Sequence, residues 1–265
     1  MKKRIISAIF LILIAIPLIM EGNKAFAVAI AGIGILGLKE IADLKKSHHK
    51  LPLIMLLIFS LVFLFITFIS PFEYSNLIGI NYRMLSFMLF LFLIPTLFFG
   101  EKENYSSSDA FYFLGVVLFL GMACHSIIMI RAKSLWLFLY IILIPILTDT
   151  FAYIFGRLIG QHKIAPKISP NKTVEGCVMG TICSTIIASA FYYILIGPMN
   201  LVHLFSVTIL FSIVGQLGDL FFSKIKRENE VKDFSDLIPG HGGILDRFDS
   251  IIFVSIAFLL LIRFL

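Results

Sequence analysis

The chain has 265 residues, of which 59% are hydrophobic and 14% are charged, and its mean hydropathy is +1.01. Soluble domains are about 45–50% apolar and about 25% charged, so this composition excludes an ordinary water-soluble globule. The formal net charge of +6 favours loops that face anionic lipid and an anionic substrate, and we expect no nucleic-acid partner. The cysteines, Cys124, Cys177 and Cys183, lie in apolar stretches without a CxxC pair, which is typical of packing residues.

Nine apolar runs bounded by charged residues predict nine transmembrane helices, because about 20 apolar residues cross roughly 30 Å of hydrocarbon. In chain order the runs are 5–20, 25–38, 51–69, 84–99, 111–130, 135–155, 174–196, 201–222 and 245–265. The first two are short and could form one helical hairpin. The basic start, the apolar run and the small-residue site Ala25-Phe26-Ala27 also fit a cleaved signal peptide, and this alternative stays open.

Positive charge is unevenly distributed between these runs. Of the 22 Lys and Arg residues, 17 fall on one side of the nine spans and 5 on the other. Because cytoplasmic loops carry the excess of Lys and Arg, the N-terminus and the two longest polar loops, 156–173 and 223–250, should be cytoplasmic. We therefore expect an all-α polytopic integral membrane protein with about nine transmembrane helices, multi-pass in the cell's inner (cytoplasmic) membrane, with a site that faces the cytoplasm.

Chemically capable residues concentrate in the second half of the chain. Residues 1–134 hold spans one to five and are mostly bland lipid-facing sequence. Residues 135–265 hold spans six to nine, both long loops and nearly every unusual polar residue. There is no repeat or low-complexity tract, so we expect one structural unit whose function lies in residues 135–265.

Asp149 is an acidic residue inside the sixth apolar run. A carboxylate at membrane depth costs several kcal/mol unless it is paired, hydrated or bound to a cation. Two interpretations remain open. Asp149 could be paired with a neighbouring helix or with Arg157 two turns further on, or it could contribute to a functional site.

A second polar group follows at the inner end of the eighth run. Asp219 and Ser223 stand at i and i+4, and Lys226 or Arg227 follows at i+7 or i+8. If the helix continues past Phe222, these residues share one face. A carboxylate, a hydroxyl and one or two cations on one face could bind a metal-bridged phosphate.

The start of the last apolar run combines glycines with two acids. Residues 239–243 read Pro-Gly-His-Gly-Gly, and such backbone can approach a phosphate closely. Asp246 and Asp249 follow at i and i+3, so they repel one another unless a divalent cation lies between or beside them. Compensation of the helix dipole is the alternative explanation for acids at this position. Together with Asp219, they predict a metal site.

The loop between spans six and seven adds further candidates for an anion site. Ser169, Lys172 and Thr173 precede an apolar helix. They could equally be ordinary caps and a lysine that faces lipid headgroups. Because both long loops are expected on one side of the membrane, their cations and hydroxyls could line a single site.

The 27-residue stretch 223–249 carries a specific pattern, made of Ser223, Lys226-Arg227, Lys232-Asp233, Ser235, Ile238-Pro239, His241-Gly242-Gly243-Ile244 and Asp246-Arg247-Phe248-Asp249. This pattern resembles the signature of the phosphatidate cytidylyltransferase (CDP-diacylglycerol synthase) family. A second block, with Ile168-Ser169-Pro170, Lys172-Thr173 and Glu175-Gly176, also looks like that family. Asn171 departs from the pattern, since many members have a basic residue there.

The resemblance implies Mg²⁺-dependent transfer of CMP from CTP to phosphatidate, with a second cation left open, in a helical membrane protein that forms a homodimer. It implies that Asp219, Asp246 and Asp249 hold the metal and are catalytic together with Lys226 and Arg227. The substrate-binding residues would be Ser169, Lys172, Thr173, Ser223, Lys232, His241, Gly242, Gly243 and Arg247.

Two other functions are compatible with the sequence. A CTP-dependent lipid kinase of the polyprenol or dolichol type would also handle CTP and a lipid in a helical membrane site. An ion-coupled transporter could use Asp149 and Asp219 as ion sites, but the matched halves typical of transporters are missing. CDP-alcohol phosphotransferases are disfavoured, because their acid-rich motif is missing from this sequence.

Overall fold

The computed structural model describes residues 2–46, 51–68, 82–99, 105–238, 240 and 242–262. Within these ranges the chain forms nine α-helices, one short 3₁₀ helix and one two-stranded sheet. Five helical segments are long and apolar enough to cross a membrane, namely Lys24–Lys45, Ser107–Lys133, Leu135–Ile159, Val174–Leu195 and Leu201–Glu228. The prediction of a helical membrane protein is therefore confirmed at this level.

The chain divides into two compact units. The first comprises Met1–Ala132 and Phe234–Ile244, and the second comprises Lys133–Asp233 and Leu245–Leu265. The helices of the first unit are α1 (Lys2–Glu21), α2 (Lys24–Lys46), α3 (Leu53–Phe68), α4 (Tyr82–Leu93), which a 3₁₀ turn (Ile94–Leu97) extends, and α5 (Ser107–Lys133), whose last residue falls in the second unit.

Aromatic rings form the core of the first unit. Phe59 on α3 is fully buried. Its ring stacks on Phe92 of α4 and Phe113 of α5, with centroid distances of 4.9 and 4.7 Å. Stacked rings at this separation add to the stabilisation from burial alone, so three apolar helices are joined at one point.

The second unit contains the elements that carry most of the predicted site. They are α6 (Leu135–Ile159), β1 (Lys163–Ala165), β2 (Ser169–Thr173), α7 (Val174–Leu195), α8 (Leu201–Glu228) and α9 (Leu245–Leu261). Asn200 caps α8, because its side chain accepts hydrogen bonds from the backbone N–H groups of Val202 and His203 at 3.0 and 3.3 Å.

Glycines allow α6 and α7 to pack closely. A Cβ atom on Gly176 would lie 2.5 Å from the carbonyl oxygen of Ala152, and one on Gly180 would lie 2.6 Å from that of Thr148. Small residues four apart are a common way for membrane helices to bring their backbones together. This contact holds the middle of α6, where Asp149 lies, against the start of α7.

Buried hydroxyl and amide groups tie α8 to the same pair of helices. Thr148 Oγ1 on α6 lies 2.9 Å from Ser212 Oγ on α8. Gln216 Nε2 on α8 donates to Thr181 Oγ1 on α7 at 2.8 Å. Polar groups inside a helical bundle need such partners, since an unsatisfied group in an apolar interior is costly. The network positions the helix turn that precedes Asp219.

The two predicted loops, 156–173 and 223–250, are shorter than expected. Instead of a loop at 156–173, α6 continues to Ile159 and an antiparallel hairpin follows, with Lys163 opposite Thr173 and Ala165 opposite Ser169. The Val174 N–H closes the hairpin by donating to the His162 carbonyl at 2.9 Å. The expectation of an all-α fold is corrected by this one hairpin.

The second predicted loop, 223–250, also loses residues to helices. Helix α8 continues to Glu228 and α9 begins at Leu245. Lys and Arg side chains can reach water from a helix end while the backbone stays helical, so the end of the apolar run at Phe222 did not mark the end of the helix.

Candidate active site

A cavity of about 440 Å³ lies within the second unit, between α6, β2, α7, α8 and the start of α9. Its charged lining residues comprise five carboxylates and three basic groups. They are Asp149, Asp219, Asp233, Asp246 and Asp249, and Lys172, Lys226 and Arg247. With all groups ionised, the lining carries more negative than positive charge.

The spacing of residues on α8 explains why two of its charged side chains reach the cavity. Asp219 and Lys226 are seven residues apart, and α8 is helical through both. Two turns of α-helix place them on one face, as the sequence predicted for a helix that continues past Phe222. Both line the cavity.

Asp219 is held by a lysine from the hairpin. Lys172, on β2, forms an ion pair with Asp219 Oδ2, and both side chains are largely buried. Ser223, one turn further along α8, donates a hydrogen bond from Oγ to Asp219 Oδ1 at 3.3 Å. Both oxygens of this carboxylate therefore have partners within the second unit.

Asp246 is paired in the same way. Lys226 Nζ on α8 donates to Asp246 Oδ1 on α9 at 2.6 Å, and the two side chains are 11% and 4% exposed. A pair this far from water is stable only with close contact between the charges. The pair joins the inner end of α8 to the first turn of α9.

Asp149 and Asp249 meet at Ser250. Ser250 Oγ donates to Asp149 Oδ2 at 3.5 Å, and its N–H donates to Asp249 Oδ1 at 2.7 Å. Both carboxylates lie close enough to Asp219 to repel its charge. In the described part of the second unit no ion pair joins Asp149 to Arg157, so that pairing is wrong, whereas the hydrogen bond from Ser250 of α9 is a contact with a neighbouring helix.

The predicted metal ligands Asp219, Asp246 and Asp249 all line the cavity. Among the described residues, however, no three His, Cys, Asp or Glu side chains form a group that could hold one metal ion. Lysines contact Asp219 and Asp246 at the positions where a cation was expected. The donor set, made of carboxylate oxygens, is nevertheless the kind that Mg²⁺ prefers. The metal site stays a prediction.

Within the second unit, four other predicted residues are described but do not line the cavity, namely Ser169, Ser223, Arg227 and Lys232. Arg227 instead donates from Nε to the Ile168 carbonyl at 3.4 Å and from Nη1 to the Val231 carbonyl at 3.1 Å. In this arrangement Arg227 supports the hairpin that carries Lys172. Thr173 lines the cavity and also caps α7, with Oγ1 accepting from the Gly176 N–H at 3.2 Å.

The glycine-rich residues before α9 belong to the first unit, and His241 lies outside the described residues. Gly242 has a φ of +80°, which favours glycine. A Cβ on Gly243 would lie 2.6 Å from Glu40 Oε1. The absence of a side chain at Gly243 thus allows the carboxylate of Glu40 to approach the backbone. Phosphate binding by these glycines stays a prediction.

Comparison with known protein sequences places the chain in a family. Residues 2–265 match the sequence model of the Cytidylyltransferase family. The chain belongs to that family. It is 38% identical over 255 residues to the phosphatidate cytidylyltransferase of Staphylococcus haemolyticus (strain JCSC1435), with 96% of each chain covered. The enzymes of that name from Staphylococcus aureus (strain COL) and Staphylococcus epidermidis (strain ATCC 12228 / FDA PCI 1200) are 34% and 36% identical, again with 96% coverage of each chain.

Several cavity residues of this cytidylyltransferase-family chain were not among the predicted site residues. Asp149 stood out only by its cost in the membrane, and Tyr153 follows it by one helical turn, a spacing that could have indicated the shared face. Asp233 stood in the family pattern but had been given no role there. Cys177 follows Thr173 by one turn of α7, and Asn171 precedes Lys172 on β2.

Proposed function

We propose that this chain transfers CMP from CTP to phosphatidate, forming CDP-diacylglycerol and pyrophosphate. One observation carries the proposal: eight ionisable side chains from four elements and a connecting segment converge on a single cavity of the second unit. The family match spans residues 2–265 and so includes every residue that lines this cavity. Relatives named phosphatidate cytidylyltransferase match 96% of the chain.

The reaction joins two phosphates. A phosphatidate oxygen forms a bond to the α-phosphorus of CTP, and the bond from that phosphorus to the oxygen bridging the β-phosphate breaks. The electron pair leaves with pyrophosphate. The attacking oxygen is already ionised near neutral pH, so the protein needs no strong general base. Its contribution is alignment and neutralisation of charge.

The charge of the cavity supports a metal requirement. Two polyanions cannot approach one another among five carboxylates unless positive charge is added to the three basic groups. We propose that Asp219, Asp246 and Asp249 hold Mg²⁺, with room left open for a second cation. When bound, the ion would neutralise phosphate oxygens and stabilise the leaving pyrophosphate.

Lys172 and Lys226 would change partners as substrate binds. Each now neutralises a proposed metal ligand, Asp219 or Asp246. Once a cation takes over that role, each ammonium group can contact phosphate oxygens as a point charge. Arg247, also on the cavity wall, can bind a phosphate through two parallel hydrogen bonds. Further substrate contacts are proposed for Ser169, Thr173, Ser223, Arg227, Lys232, His241, Gly242 and Gly243.

We also propose the finer membrane arrangement. The chain crosses the inner (cytoplasmic) membrane nine times with its N-terminus in the cytoplasm, residues 135–265 form the catalytic part, and two copies form a homodimer. The distribution of Lys and Arg supports this orientation. A cavity near the cytoplasmic surface can receive CTP from water and phosphatidate from the adjacent leaflet.

Two labels on CTP test the reaction. Purified protein is incubated with phosphatidate, Mg²⁺ and CTP labelled on either the α- or the γ-phosphorus, with a chelator-treated sample alongside. We expect the α-label in lipid and the γ-label in water-soluble pyrophosphate. Label from the γ-position in lipid would indicate a lipid kinase instead. If neither labelled form of CTP transfers its label to lipid, the proposal is also contradicted.

A further inference from the structure

Glu40 is a buried carboxylate on α2 of the first unit that the proposed reaction does not use. It is 4% exposed. Its Oε1 accepts a hydrogen bond from Ser235 Oγ at 2.6 Å and another from the Ile244 N–H at 2.8 Å. One oxygen atom therefore holds both ends of the segment 234–244, which we name the glycine connection.

The glycine connection is closed by its own hydrogen bonds as well. The Ile238 N–H donates to the Gly242 carbonyl at 2.9 Å, and the Leu237 N–H donates to Ser235 Oγ at 3.2 Å. Gly240 and Gly242 have φ values of +79° and +80°, a conformation that residues with a Cβ rarely adopt. The described residues of the segment therefore fold back at the Ile238–Gly242 bridge, and Ser235 and Ile244 meet at Glu40.

Gly243 lets the carboxylate of Glu40 approach the backbone. A Cβ at position 243 would lie 2.6 Å from Oε1 and 2.9 Å from both Cδ and Oε2. These distances are shorter than van der Waals contact, so a side chain at position 243 would displace Glu40. A buried carboxylate needs several donors to offset its lost hydration, and the connection supplies them.

The glycine connection leads directly into α9, and this links Glu40 to the proposed reaction. Ile244 is followed directly by Leu245, the first residue of α9, and Asp246 is the next residue. We propose that Glu40 is a positioning residue, which restrains the backbone at Ile244, where the chain enters the helix that carries Asp246. The effect on catalysis rests on the proposed function, and the restraint on the backbone does not.

The first test measures that restraint without turnover. Hydrogen exchange of the full-length protein in detergent is followed in peptides that cover 234–244. We expect Glu40→Ala to speed exchange at Ile244 about tenfold or more, and Asp43→Asn, on an exposed residue of the same helix, to leave it unchanged. An unchanged exchange rate at Ile244 in Glu40→Ala would overturn the proposal. So would an equal increase of the exchange rate in both variants throughout α2 and the glycine connection.

The second test separates positioning from folding. We expect Glu40→Ala to raise the Mg²⁺ concentration for half-maximal transfer of α-label about tenfold, and Glu40→Gln, which keeps an acceptor oxygen, to stay closer to the wild type. A structural role alone would reduce the amount of active protein without moving the Mg²⁺ dependence, and that result would overturn the proposal.

A double substitution tests the contact itself. Gly243→Ala should speed hydrogen exchange at Ile244 in the wild-type background, because its Cβ meets the carboxylate, and should have little further effect in the Glu40→Ala background. Additive increases in the exchange rate would overturn the proposal. If the wild type transfers no label at all, the proposed function fails, while hydrogen exchange at Ile244 still decides whether Glu40 restrains the connection.

Discussion

Lys226 Nζ lies 2.6 Å from Asp246 Oδ1, in a contact between α8 and α9 from which water is almost excluded. Removing two charges from water is costly, and their attraction offsets this cost only at close range. In the proposed reaction Asp246 has a second partner, Mg²⁺. In that reaction the metal contact would replace the ion pair, and this proposed exchange is the basis of the first prediction.

Replacing Lys226 by Gln should make stability depend on Mg²⁺. Without divalent cations, the buried Asp246 loses its counterion, and we expect the free energy of unfolding to fall by about 3–5 kcal/mol. Added Mg²⁺ should restore much of this loss, because binding to the folded state stabilises it. Thermal unfolding in detergent, with and without Mg²⁺, measures both effects.

Lys224→Gln is the matched control, since Lys224 forms an exposed pair with Glu228 at 3.6 Å. Such pairs contribute little, so its unfolding should resemble that of the wild type. If Mg²⁺ raises the unfolding temperature of the wild type and of Lys226→Gln by the same amount, Mg²⁺ does not replace the lysine.

Replacing Lys172 by Gln should weaken the use of CTP. Lys172 pairs with Asp219 on the cavity wall, and in the proposed complex it contacts a phosphate. Loss of a charge-assisted hydrogen bond costs about 1.5–3 kcal/mol, so KM for CTP should rise about tenfold or more. Lys167→Gln, on an exposed residue of the same hairpin, should leave KM unchanged. If both variants have similar KM values for CTP, Lys172 does not contact the nucleotide.

Replacing Gly176 by Ala should separate α6 from α7. The new Cβ would lie 2.5 Å from the Ala152 carbonyl and 2.8 Å from the Gly156 Cα, so backbone must move, at a cost of about 1–3 kcal/mol. We expect a lower unfolding temperature and reduced transfer. Gly115→Ala on α5 is the control, since no atom lies within 4 Å of its Cβ, and alanine should stabilise a helix there slightly. If Gly176→Ala were equally stable, the close packing of α6 and α7 would be wrong.

Periodicity along one helix was predictable from the sequence. The seven-residue spacing of Asp219 and Lys226 predicted a shared face, and both side chains reach the cavity. Their partners were not predictable, because Lys172 meets Asp219, and Lys226 meets Asp246, only through the packing of separate elements. Hydropathy carries no information about which cation faces which carboxylate.

The hairpin and Glu40 were missed for other physical reasons. Strands β1 and β2 have three and five residues, and only one of these eight residues is buried, so no alternation of apolar and polar residues marks them. Glu40 stands among charged residues near the end of an apolar run, where acids usually face water. Its burial depends on donors from Ser235 and Ile244, about 200 residues away in the chain.

Transfer of α-label from CTP to phosphatidate by Asp246→Asn tests the central claim most directly. The variant keeps the size of the side chain and removes the charge that is proposed to hold the metal. The rate is compared with that of Asp236→Asn, on an exposed residue of the glycine connection, after both proteins are shown to unfold like the wild type in the presence of Mg²⁺. We predict a loss of about a thousandfold or more for Asp246→Asn and a wild-type rate for Asp236→Asn. A folded Asp246→Asn protein that still forms labelled CDP-diacylglycerol at a rate near that of the wild type would contradict the account.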